Sequence, residues 1–325
     1  MPKQTLSPPT LTKAIQKGVD YLAQTQRPSG EFATFTSPRL DMADAKERPK
    51  SVYFTTFVIH ALSCLPPSPL IKQIQRRAGD FLLREQEDNG AWHYDGRRDE
   101  WKIPLDLDDT CCAIAALFIL GQHPALSLYT HLWQNEVAPG GPYYTWIGAN
   151  ASSNNSVFAR DLDIVGNANI LFCGGLLDLP LPGTVDYIQQ VIHNEDYQAQ
   201  STYCIAPHFP IYVISRAYGD GNVDALAPAM PIMQGYVLTK LARPRNELII
   251  FNLACLVVAL LNLQADLSLI EPYLVALLAG QKSDGHWPAW GVYLSYKHHY
   301  DGAPALTTAL ALEALSKYLK RVSLS

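Results

Sequence analysis

The sequence predicts an all-α fold, an (α/α)6 barrel in which an inner ring of six helices is wrapped by an outer ring. Three observations predict it: a repeated helix-end signature, an alternation of amphipathic and uniformly apolar helical segments, and the rarity of alternating strand patterns. Apolar residues make up 48% of the 325 residues and charged residues only 17%, so much of the chain must be buried. We expect residues 1–325 to form a single barrel domain.

The helix-end signature occurs three times. In each copy a Gln closes an amphipathic helix, a Gly follows four residues later, and an aromatic residue follows two residues after that. The copies are Gln26, Gly30 and Phe32; Gln86, Gly90 and Trp92; and Gln281, Gly285 and Trp287. The Gly would supply the positive φ of the exit turn, and the aromatic ring would pack back on the helix end. Three copies at one spacing indicate a repeated helical unit.

Helical segments alternate between two kinds. Amphipathic segments, predicted as outer helices, cover residues 10–26, 68–87, 124–136, 184–193, 223–242 and 267–281. Uniformly apolar segments, predicted as inner helices, cover residues 51–64, 106–121, 163–178, 207–219, 246–263 and 304–319. Helices that are apolar on all sides must be covered on all sides, which fits an inner ring.

Several connections from an outer helix to the next inner helix are long, at residues 27–50, 88–105, 137–160 and 282–303. They all emerge at the end of the barrel where the inner helices begin. Loops longer than about 12–15 residues are usually functional or disordered. We therefore expect a pocket inside the inner ring, roofed by these loops.

An acidic cluster stands at one of these helix starts. Asp106, Asp108 and Asp109 directly precede the apolar segment 110–117. Acids at a helix start are ordinary, because the first-turn N–H groups are unpaired and the helix dipole favours negative charge there. This helix has almost no polar face, however, so the cluster is expected inside the fold, where crowded carboxylates do not all ionise. One of them would keep its proton and act as a Brønsted acid.

Composition argues against several classes of protein. The net charge of -5 and the lack of a basic run argue against nucleic-acid binding. Residues 1–5 lack the apolar core of a signal peptide. The longest apolar run, residues 248–263, is shorter than the roughly 18 residues of a membrane span. The six cysteines have no C-x-x-C spacing and are predicted to be reduced core residues of a cytoplasmic protein.

The acidic cluster also carries a resemblance. The segment Asp106-Leu107-Asp108-Asp109-Thr110 resembles the D-x-D-D-T motif of class II terpene cyclases such as squalene-hopene cyclases, and the Gln–Gly–aromatic units resemble their QW motifs. Phe32 departs from the Trp of that motif. Those enzymes normally carry two or three helical domains. This chain has room for one barrel, and so it looks like the single-domain meroterpenoid cyclases of cyanobacteria, of the merosterolic acid synthase kind.

That resemblance implies protonation-initiated cyclisation of a prenylated dihydroxybenzoate, a small-molecule substrate, without a cofactor. Asp108 would be the general acid to the terminal alkene, while Asp106 and Asp109 keep it protonated and oriented. A supporting polar group is expected from the next inner helix, where Asn167 and Asn169 lie. We predict Asn169, although an Asn at a helix start also commonly bonds its own backbone.

The carbocations that follow need aromatic faces rather than nucleophiles. The predicted substrate-binding residues are Tyr53, Phe57, Trp101, Trp146, Phe172, Tyr212 and Trp290, with Arg245 for the benzoate carboxylate. Trp92 and Trp287 are expected to be structural, since they belong to the repeated units. So apolar a substrate would favour peripheral contact with a membrane, although the sequence points to no amphipathic anchor.

Other functions remain open at this point. A class II cyclase of a prenyl diphosphate, giving drimenyl- or copalyl-type products, would need a basic cluster, for which the arginines at 97–98 and 243–245 are candidates. An α/α-barrel glycosidase would need a second, separate carboxylate, such as Asp161 or Asp163. A non-catalytic helical binding scaffold is the remaining alternative. No metal site is predicted, because the Mg²⁺ pattern D-D-x-x-D of class I terpene synthases fails at Cys112, and His298 and His299 have no zinc-ligand spacing with the cysteines.

Overall fold

The structure is a computed structural model that describes residues 6–48, 51–97, 103–123, 127–148, 161–242, 248–295 and 298–324. The described residues contain twelve α-helices. They are α1 (Pro8–Thr25), α2 (Val52–Ser63), α3 (Pro69–Glu85), α4 (Leu107–Ile119), α5 (Ser127–Asn135), α6 (Ile164–Leu176), α7 (Pro182–Asn194), α8 (Phe209–Gly219), α9 (Met230–Leu241), α10 (Ile250–Asn262), α11 (Leu267–Ala279) and α12 (Pro304–Leu324).

The even-numbered helices form a closed inner ring. Each packs against the next even-numbered helix, and α12 packs against α2 to complete the circle. The odd-numbered helices pack on the outside, α1 and α11 against α12 and α3 against α2 and α4. In α10 every residue from Phe251 to Asn262 is buried, as the apolar pattern requires. The predicted (α/α)6 barrel is therefore confirmed.

Two segments differ from the predicted helices. The segment 223–242 divides into a 3₁₀ helix, Asp224–Ala229, and α9, because Pro228 and Pro231 lack the N–H groups that one continuous helix would need. Helix α12 continues to Leu324, beyond the predicted end at 319. No described helix combines the length and apolarity that crossing a bilayer requires. All six cysteines are free, and five of them are buried.

Four short strands, which the sequence did not predict, lie in the long connections. They are β1 (Phe35–Ser37), β2 (Lys46–Glu47), β3 (Tyr293–Leu294) and β4 (Tyr300–Gly302), and they form an antiparallel sheet in the order β2-β1-β4-β3. Phe35 pairs with Gly302, so the sheet joins the connection before α2 to the connection before α12. Strands of two or three residues are too short for an alternating pattern to be visible in the sequence.

The three Gln–Gly–aromatic units have the same hydrogen bonds. The side-chain amides of Gln26, Gln86 and Gln281 donate to the carbonyls of Gly30 (2.8 Å), Gly90 (3.2 Å) and Gly285 (2.9 Å). Each Gly has a positive φ, of 107°, 83° and 100° respectively. The turn therefore requires Gly, as the spacing predicts.

Each unit also fastens an outer helix to the next inner helix. The backbone N–H groups of Phe32, Trp92 and Trp287 donate to the hydroxyls of Thr55 (3.2 Å), Thr110 (3.1 Å) and Thr308 (3.1 Å), which lie in α2, α4 and α12. The indoles of Trp92 and Trp287 donate back to Leu82 and Leu277 in the preceding outer helices. The aromatic residue of the unit is thus bonded at the start of an inner helix, where the cavity lies.

Candidate active site

A cavity of about 330 Å³ lies where α2, α4 and α6 begin. Its volume falls in the range of about 300–1,000 Å³ that is usual for small-molecule sites. The lining residues are Arg48, Tyr53, Tyr94, Ile103, Asp106, Asp108, Asp109, Thr145, Trp146, Asp163, Gly166, Tyr203, Tyr293, Leu294, Ser295 and Asp301. The lining therefore combines aromatic rings with a concentration of carboxyl groups.

Asp106 begins α4 and anchors the acidic cluster. Its Oδ1 accepts a hydrogen bond of 2.5 Å from the backbone N–H of Asp109, which makes it the N-cap. The chain before α4 pairs with a second segment, since Leu107 N–H donates to the Thr145 carbonyl (2.8 Å) and Ile147 N–H to the Leu105 carbonyl (2.8 Å). This pairing fixes the first turn of α4 and holds Trp146 beside Asp106.

Asp108 faces the cavity from that first turn. Its Oδ1 accepts a hydrogen bond of 2.7 Å from the side-chain amide of Asn169 in α6, and a weaker one of 3.5 Å from the thiol of Cys112. Gly166, one turn earlier in α6, packs against Asp108, and a Cβ at Gly166 would lie 3.9 Å from Asp108 Oδ2. The absence of a side chain at Gly166 keeps the space beside this second oxygen open.

Burial disfavours the charged form of all three carboxyls. It raises the pKa of Asp106 to about 6, and burial together with the charge of Asp106 raises the pKa of Asp108 to about 8. The same two causes raise the pKa of Asp109 well above its ordinary value. Asp106 ionises first because it has the N-cap hydrogen bond. These shifts favour the neutral form of the Asp108 carboxyl at neutral pH.

The orientation of the Asn169 amide is fixed by Arg216 of α8. The Arg216 guanidinium donates a hydrogen bond of 2.5 Å to Asn169 Oδ1, and a guanidinium can only donate. The amide nitrogen must then face Asp108 and the hydroxyl of Tyr53, to which it donates at 3.0 Å. Since Asp108 Oδ1 accepts from this amide, the acidic proton belongs on Oδ2.

Arg216 is a buried cation held among aromatic rings. Its guanidinium carbon lies 4.4 Å from the ring centroid of Phe57 and 4.3 Å from that of Phe172. Cation–π contacts of this kind compensate in part for the lost hydration of the charge. Arg216 was not predicted, although a single arginine within the apolar segment 207–219 is visible in the sequence.

The predicted substrate-binding residues divide into three groups. Tyr53 and Trp146 line the cavity. Phe57, Phe172, Tyr212 and Trp290 are not among its lining residues, and their binding of substrate stays a prediction. The rings of the first three surround Arg216 along the inner helices, and Trp290 is partly buried. Trp101 and Arg245 lie outside the described residues. These residues were predicted because they lie in the long connections or in inner helices, which does not define the depth of each side chain in the barrel.

Two further cavity residues, Arg48 and Tyr203, were also missed. Arg48 pairs with Asp95 at 3.1 Å and with Asp301, so two carboxylates balance its charge. Asn167, the other Asn considered, exchanges hydrogen bonds with the backbone of Tyr143, at 2.8 and 3.0 Å, and so does not face Asp108. All of these side chains belong to connections or helix starts, where sequence periodicity carries no information about contacts.

A second buried acidic cluster lies toward the C-terminal ends of the inner helices. Lys317 Nζ donates to Glu313 Oε1 at 2.7 Å and to Asp220 Oδ2 at 2.5 Å, and His60 Nε2 lies 3.3 Å from Asp220. Burial opposes the charge of Glu313, but Lys317 and His60 lower its pKa to about 2. The hydroxyl of Tyr212 donates to Glu313 at 3.0 Å and links this cluster to the aromatic rings around Arg216.

Potential metal-ligating atoms of His60, Cys64 and Glu313 lie within 4.8 Å of one another. The Lys317 ammonium already contacts Glu313, and burial raises the pKa of the Cys64 thiol. A metal ion would have to displace an ammonium and bind a thiol that resists ionisation. This set of residues therefore does not fit a metal site.

No protein-family model matches this sequence, and no curated protein matches it. Solved structures do match. A protein from Actinoplanes shares 17% identity over 95% of this chain and 99% of its own, with a TM-score of 0.73. The type II terpene cyclase MstE from Scytonema, as the R337A variant in complex with its substrate geranylgeranyl dihydroxybenzoate, shares 16% identity over 96% of this chain and 98% of its own, with a TM-score of 0.68. The chain therefore has an α/α-barrel fold like that of the type II terpene cyclase MstE.

An enzyme of another class has a similar barrel. An unsaturated glucuronyl hydrolase specific for heparin shares 14% identity over 98% of this chain and 99% of its own, with a TM-score of 0.63. At such low identity these similarities establish the α/α-barrel fold and leave the chemistry to the site.

Proposed function

We propose that the chain is a class II terpene cyclase, that its substrate is a polyprenylated aromatic compound of the dihydroxybenzoate type, and that Asp108 protonates the terminal alkene. The observation that carries the proposal is the environment of Asp108. This side chain borders an aromatic cavity while its Oδ1 accepts a hydrogen bond from Asn169. A neutral carboxyl group with its proton on Oδ2 is the acid that a polyene requires.

The neighbours of Asp108 assist the transfer in two ways. Asp106, the first carboxyl to ionise, keeps Asp108 protonated until substrate binds. Once the proton has left, the Asn169 amide stabilises the Asp108 carboxylate, because a hydrogen bond to a charged acceptor is roughly twice as strong as one to a neutral acceptor. Asn169 thus interacts more strongly with the product of proton transfer than with the resting acid, which lowers the barrier.

The aromatic lining suits the cations that proton transfer creates. Tyr53, Tyr94, Tyr293, Trp146 and Tyr203 all border the cavity. Each ring face contributes about 0.5–2 kcal/mol to a desolvated cation. The hydroxyls of Tyr53 and Tyr293 share a hydrogen bond of 2.6 Å with each other, and this bond restrains both rings.

The choice of an aromatic substrate over a diphosphate is supported by the charges. Among the described lining residues Arg48 is the one basic side chain, and Asp95 and Asp301 already pair with it. A diphosphate would meet carboxylates there. MstE is bound to geranylgeranyl dihydroxybenzoate, which supports an aromatic head group for this chain as well.

The same cavity gives less support to a glycosidase function. Its second carboxyl would have to be free to act on water or on a sugar. Asp163 accepts hydrogen bonds from the backbone N–H groups of Val165 (2.9 Å), Gly166 (2.9 Å) and Thr202 (2.6 Å), and Asp301 pairs with Arg48. Asp161 is not a lining residue.

The test is incubation of the purified chain with geranylgeranyl dihydroxybenzoate in D₂O, followed by mass spectrometry. We expect a cyclised isomer of the substrate that carries one deuterium, since one deuteron is added and one proton is lost. Asp108→Asn should form product about 10²–10⁴-fold more slowly, whereas Asp186→Asn, which removes an exposed acid of α7, should behave like the wild type. Geranylgeranyl diphosphate with Mg²⁺ forms the second arm. Turnover of the diphosphate alone would replace the proposed substrate class, and no turnover of either compound would refute the proposal.

A further inference from the structure

A second pair of proton-handling groups lies in the wall of the cavity. Tyr203 lines the cavity, and its hydroxyl donates a short hydrogen bond to Asp161 Oδ2. The same hydroxyl accepts a hydrogen bond of 2.8 Å from the indole N–H of Trp146, whose ring meets the Tyr203 ring edge-on at 5.5 Å. Since Asp161 does not line the cavity, the phenol stands between the carboxylate and the enclosed space.

The two carboxylate oxygens of Asp161 have different environments. Oδ2 already accepts the phenolic hydrogen of Tyr203. Oδ1 is buried and has no hydrogen-bond partner among the residues that the structure describes. A buried carboxylate oxygen without a partner is costly, and Oδ1 is free to accept a further hydrogen bond.

We propose that Tyr203 and Asp161 end the cyclisation by removing the last proton, an inference that rests on the proposed cyclase function. The C–H bond next to the final cationic carbon breaks, and its electron pair becomes the new C=C bond. The released proton goes to the Tyr203 oxygen while the phenolic hydrogen passes to Asp161 Oδ2. The product is a neutral alkene, Tyr203 is a phenol again, and Asp161 holds one more proton.

The Tyr203 phenol prevents direct contact between the Asp161 carboxylate and the carbocation. A carboxylate in contact with a carbocation is a nucleophile and would form an ester with it. The Tyr203 oxygen uses one lone pair for the Trp146 N–H and its hydrogen for Asp161, which leaves one lone pair for the cavity. Tyr203 is then basic only when Asp161 accepts its hydrogen in the same step. Over one turnover Asp108 loses a proton and Asp161 gains one, and exchange with water resets both after product release.

The experiment compares product mixtures, not only rates. Tyr203→Phe removes the relay. Asp161→Asn keeps an acceptor for the Tyr203 hydroxyl but cannot take up a proton, whereas Asp161→Glu restores a carboxylate. Tyr187→Phe is the matched control, because Tyr187 lies in the outer helix α7 and bonds Gln200. Geranylgeranyl dihydroxybenzoate serves as substrate, and thermal unfolding of each variant checks its fold.

We expect Tyr203→Phe and Asp161→Asn to lower the fraction of the wild-type alkene on the order of tenfold, in favour of isomeric alkenes and water-trapped alcohols. Substrate consumption should fall much less, since Asp108 still starts the reaction. Asp161→Glu should move the mixture back toward the wild type, and Tyr187→Phe should leave it unchanged.

Two results would overturn the inference: an unchanged product mixture in Asp161→Asn, or a loss of consumption equal to the loss of product in variants that remain folded. If Tyr203→Phe does not fold, the Asp161→Asn and Asp161→Glu pair decides. A wild-type chain that converts no prenylated substrate would refute the cyclase proposal itself, and this outcome is distinguishable because it does not involve the variants.

Discussion

Buried acids lie at both ends of the inner ring, but their pKa values are shifted in opposite directions. At the mouth, Asp106, Asp108 and Asp109 share a small volume, and burial raises the pKa of each. At the far end, Asp220 and Glu313 are also enclosed, yet Lys317 lowers the pKa of both. Burial disfavours charge at both ends. The difference is the basic groups at the far end, Lys317 first and His60 second, so the position of the basic side chains decides which buried carboxyl is an acid and which is half of an ion pair.

Arg216 is informative because it lies between these two clusters. Its guanidinium contacts the carbonyl oxygen of Asn169 and not a carboxylate. Direct contact with Asp108 would lower the pKa of that acid and remove its proton. The Asn169 amide therefore lets a buried cation orient the hydrogen bond to Asp108 without ionising the acid.

The substitution Asp108→Asn is the strongest test of the acidic cluster formed by Asp106, Asp108 and Asp109. We expect cyclisation to fall by about 10²–10⁴-fold, the usual contribution of a positioned general acid. The same variant should unfold at a higher temperature than the wild type at pH 7, because an amide removes the cost of burying an ionisable group. Product formation and thermal unfolding measure the two effects. A loss of activity accompanied by lower stability would mean that the substitution acts through misfolding.

The far cluster should respond to loss of its cation with a loss of stability. Lys317→Met removes the ammonium that contacts both Glu313 and Asp220 and leaves His60 as their remaining basic neighbour; loss of one partner of a buried ion pair typically costs about 3–5 kcal/mol. Urea unfolding measures the change. Lys282→Met, in an exposed loop, provides the control and should change the free energy of unfolding by less than about 0.5 kcal/mol. An equally small effect for Lys317→Met would show that the two acids are not charged at this end.

The pH dependence should have opposite signs for the two ends. Activity should fall as the pH rises through about 8, where the Asp108 carboxyl loses its proton. The pKa of Asp108 in the folded chain lies above its value in the unfolded chain, so the folded chain binds more protons between about pH 4 and 8. Asp108 therefore lowers the free energy of unfolding as the pH rises through this range, by at most about 1.4 kcal/mol per pH unit. The advantage of Asp108→Asn in unfolding temperature should therefore grow from pH 5 to pH 8.

Glu313 contributes in the other direction. Its folded pKa of about 2 lies below its ordinary value, so its stabilisation is present above about pH 4.5 and is lost as the pH falls toward 2. Unfolding of the wild type and of Glu313→Gln across pH 2–5 measures this effect. A stability difference between the two that does not change over this range would contradict the pairing with Lys317.

The smallest expected effect concerns the hydrogen bond between the Trp92 N–H and the Thr110 hydroxyl in α4. Thr110→Val removes the hydroxyl that accepts from the Trp92 N–H and donates to the Asp106 carbonyl, at a cost of about 1 kcal/mol. Thr308→Val removes the corresponding hydroxyl in α12, away from the acids, at a similar cost. Only Thr110→Val should also slow cyclisation. If the two variants cyclise the substrate at equal rates, the Thr110 hydrogen bonds contribute to stability but not to the geometry of the catalytic cluster.

Sequence periodicity predicted the part of the molecule that repeats. The alternation of apolar and amphipathic segments gave both rings, and the spacing of Gln26, Gly30 and Phe32 gave the turn geometry. Asn169 was predicted as the partner of Asp108 because adjacent inner helices must start side by side, and the two side chains do meet at 2.7 Å. Its role in catalysis stays a prediction.

The sequence did not predict how deep each side chain lies in the barrel or which residues of distant connections contact each other. Phe57 was expected in the cavity wall, but it lies one turn too far along α2 and contacts Arg216 instead. The Tyr203–Asp161 pair joins two connections whose sequences show no common pattern. The assignment of residues 1–325 to one domain, the cytoplasmic location and the membrane contact also stay predictions.

The pairing of β1 with β4 has a consequence for how the chain folds. Phe35 and Gly302 are neighbours in the sheet although nearly the whole barrel lies between them in the sequence. During synthesis β1 can pair with β2 early, but its pairing with β4 must wait until the segment around Gly302 has left the ribosome, and contacts of such long range form slowly. The four-stranded sheet is therefore completed late in folding. A chain that ends before β4 would also lack α12, which would leave the inner ring open and its apolar helix faces exposed to aggregation.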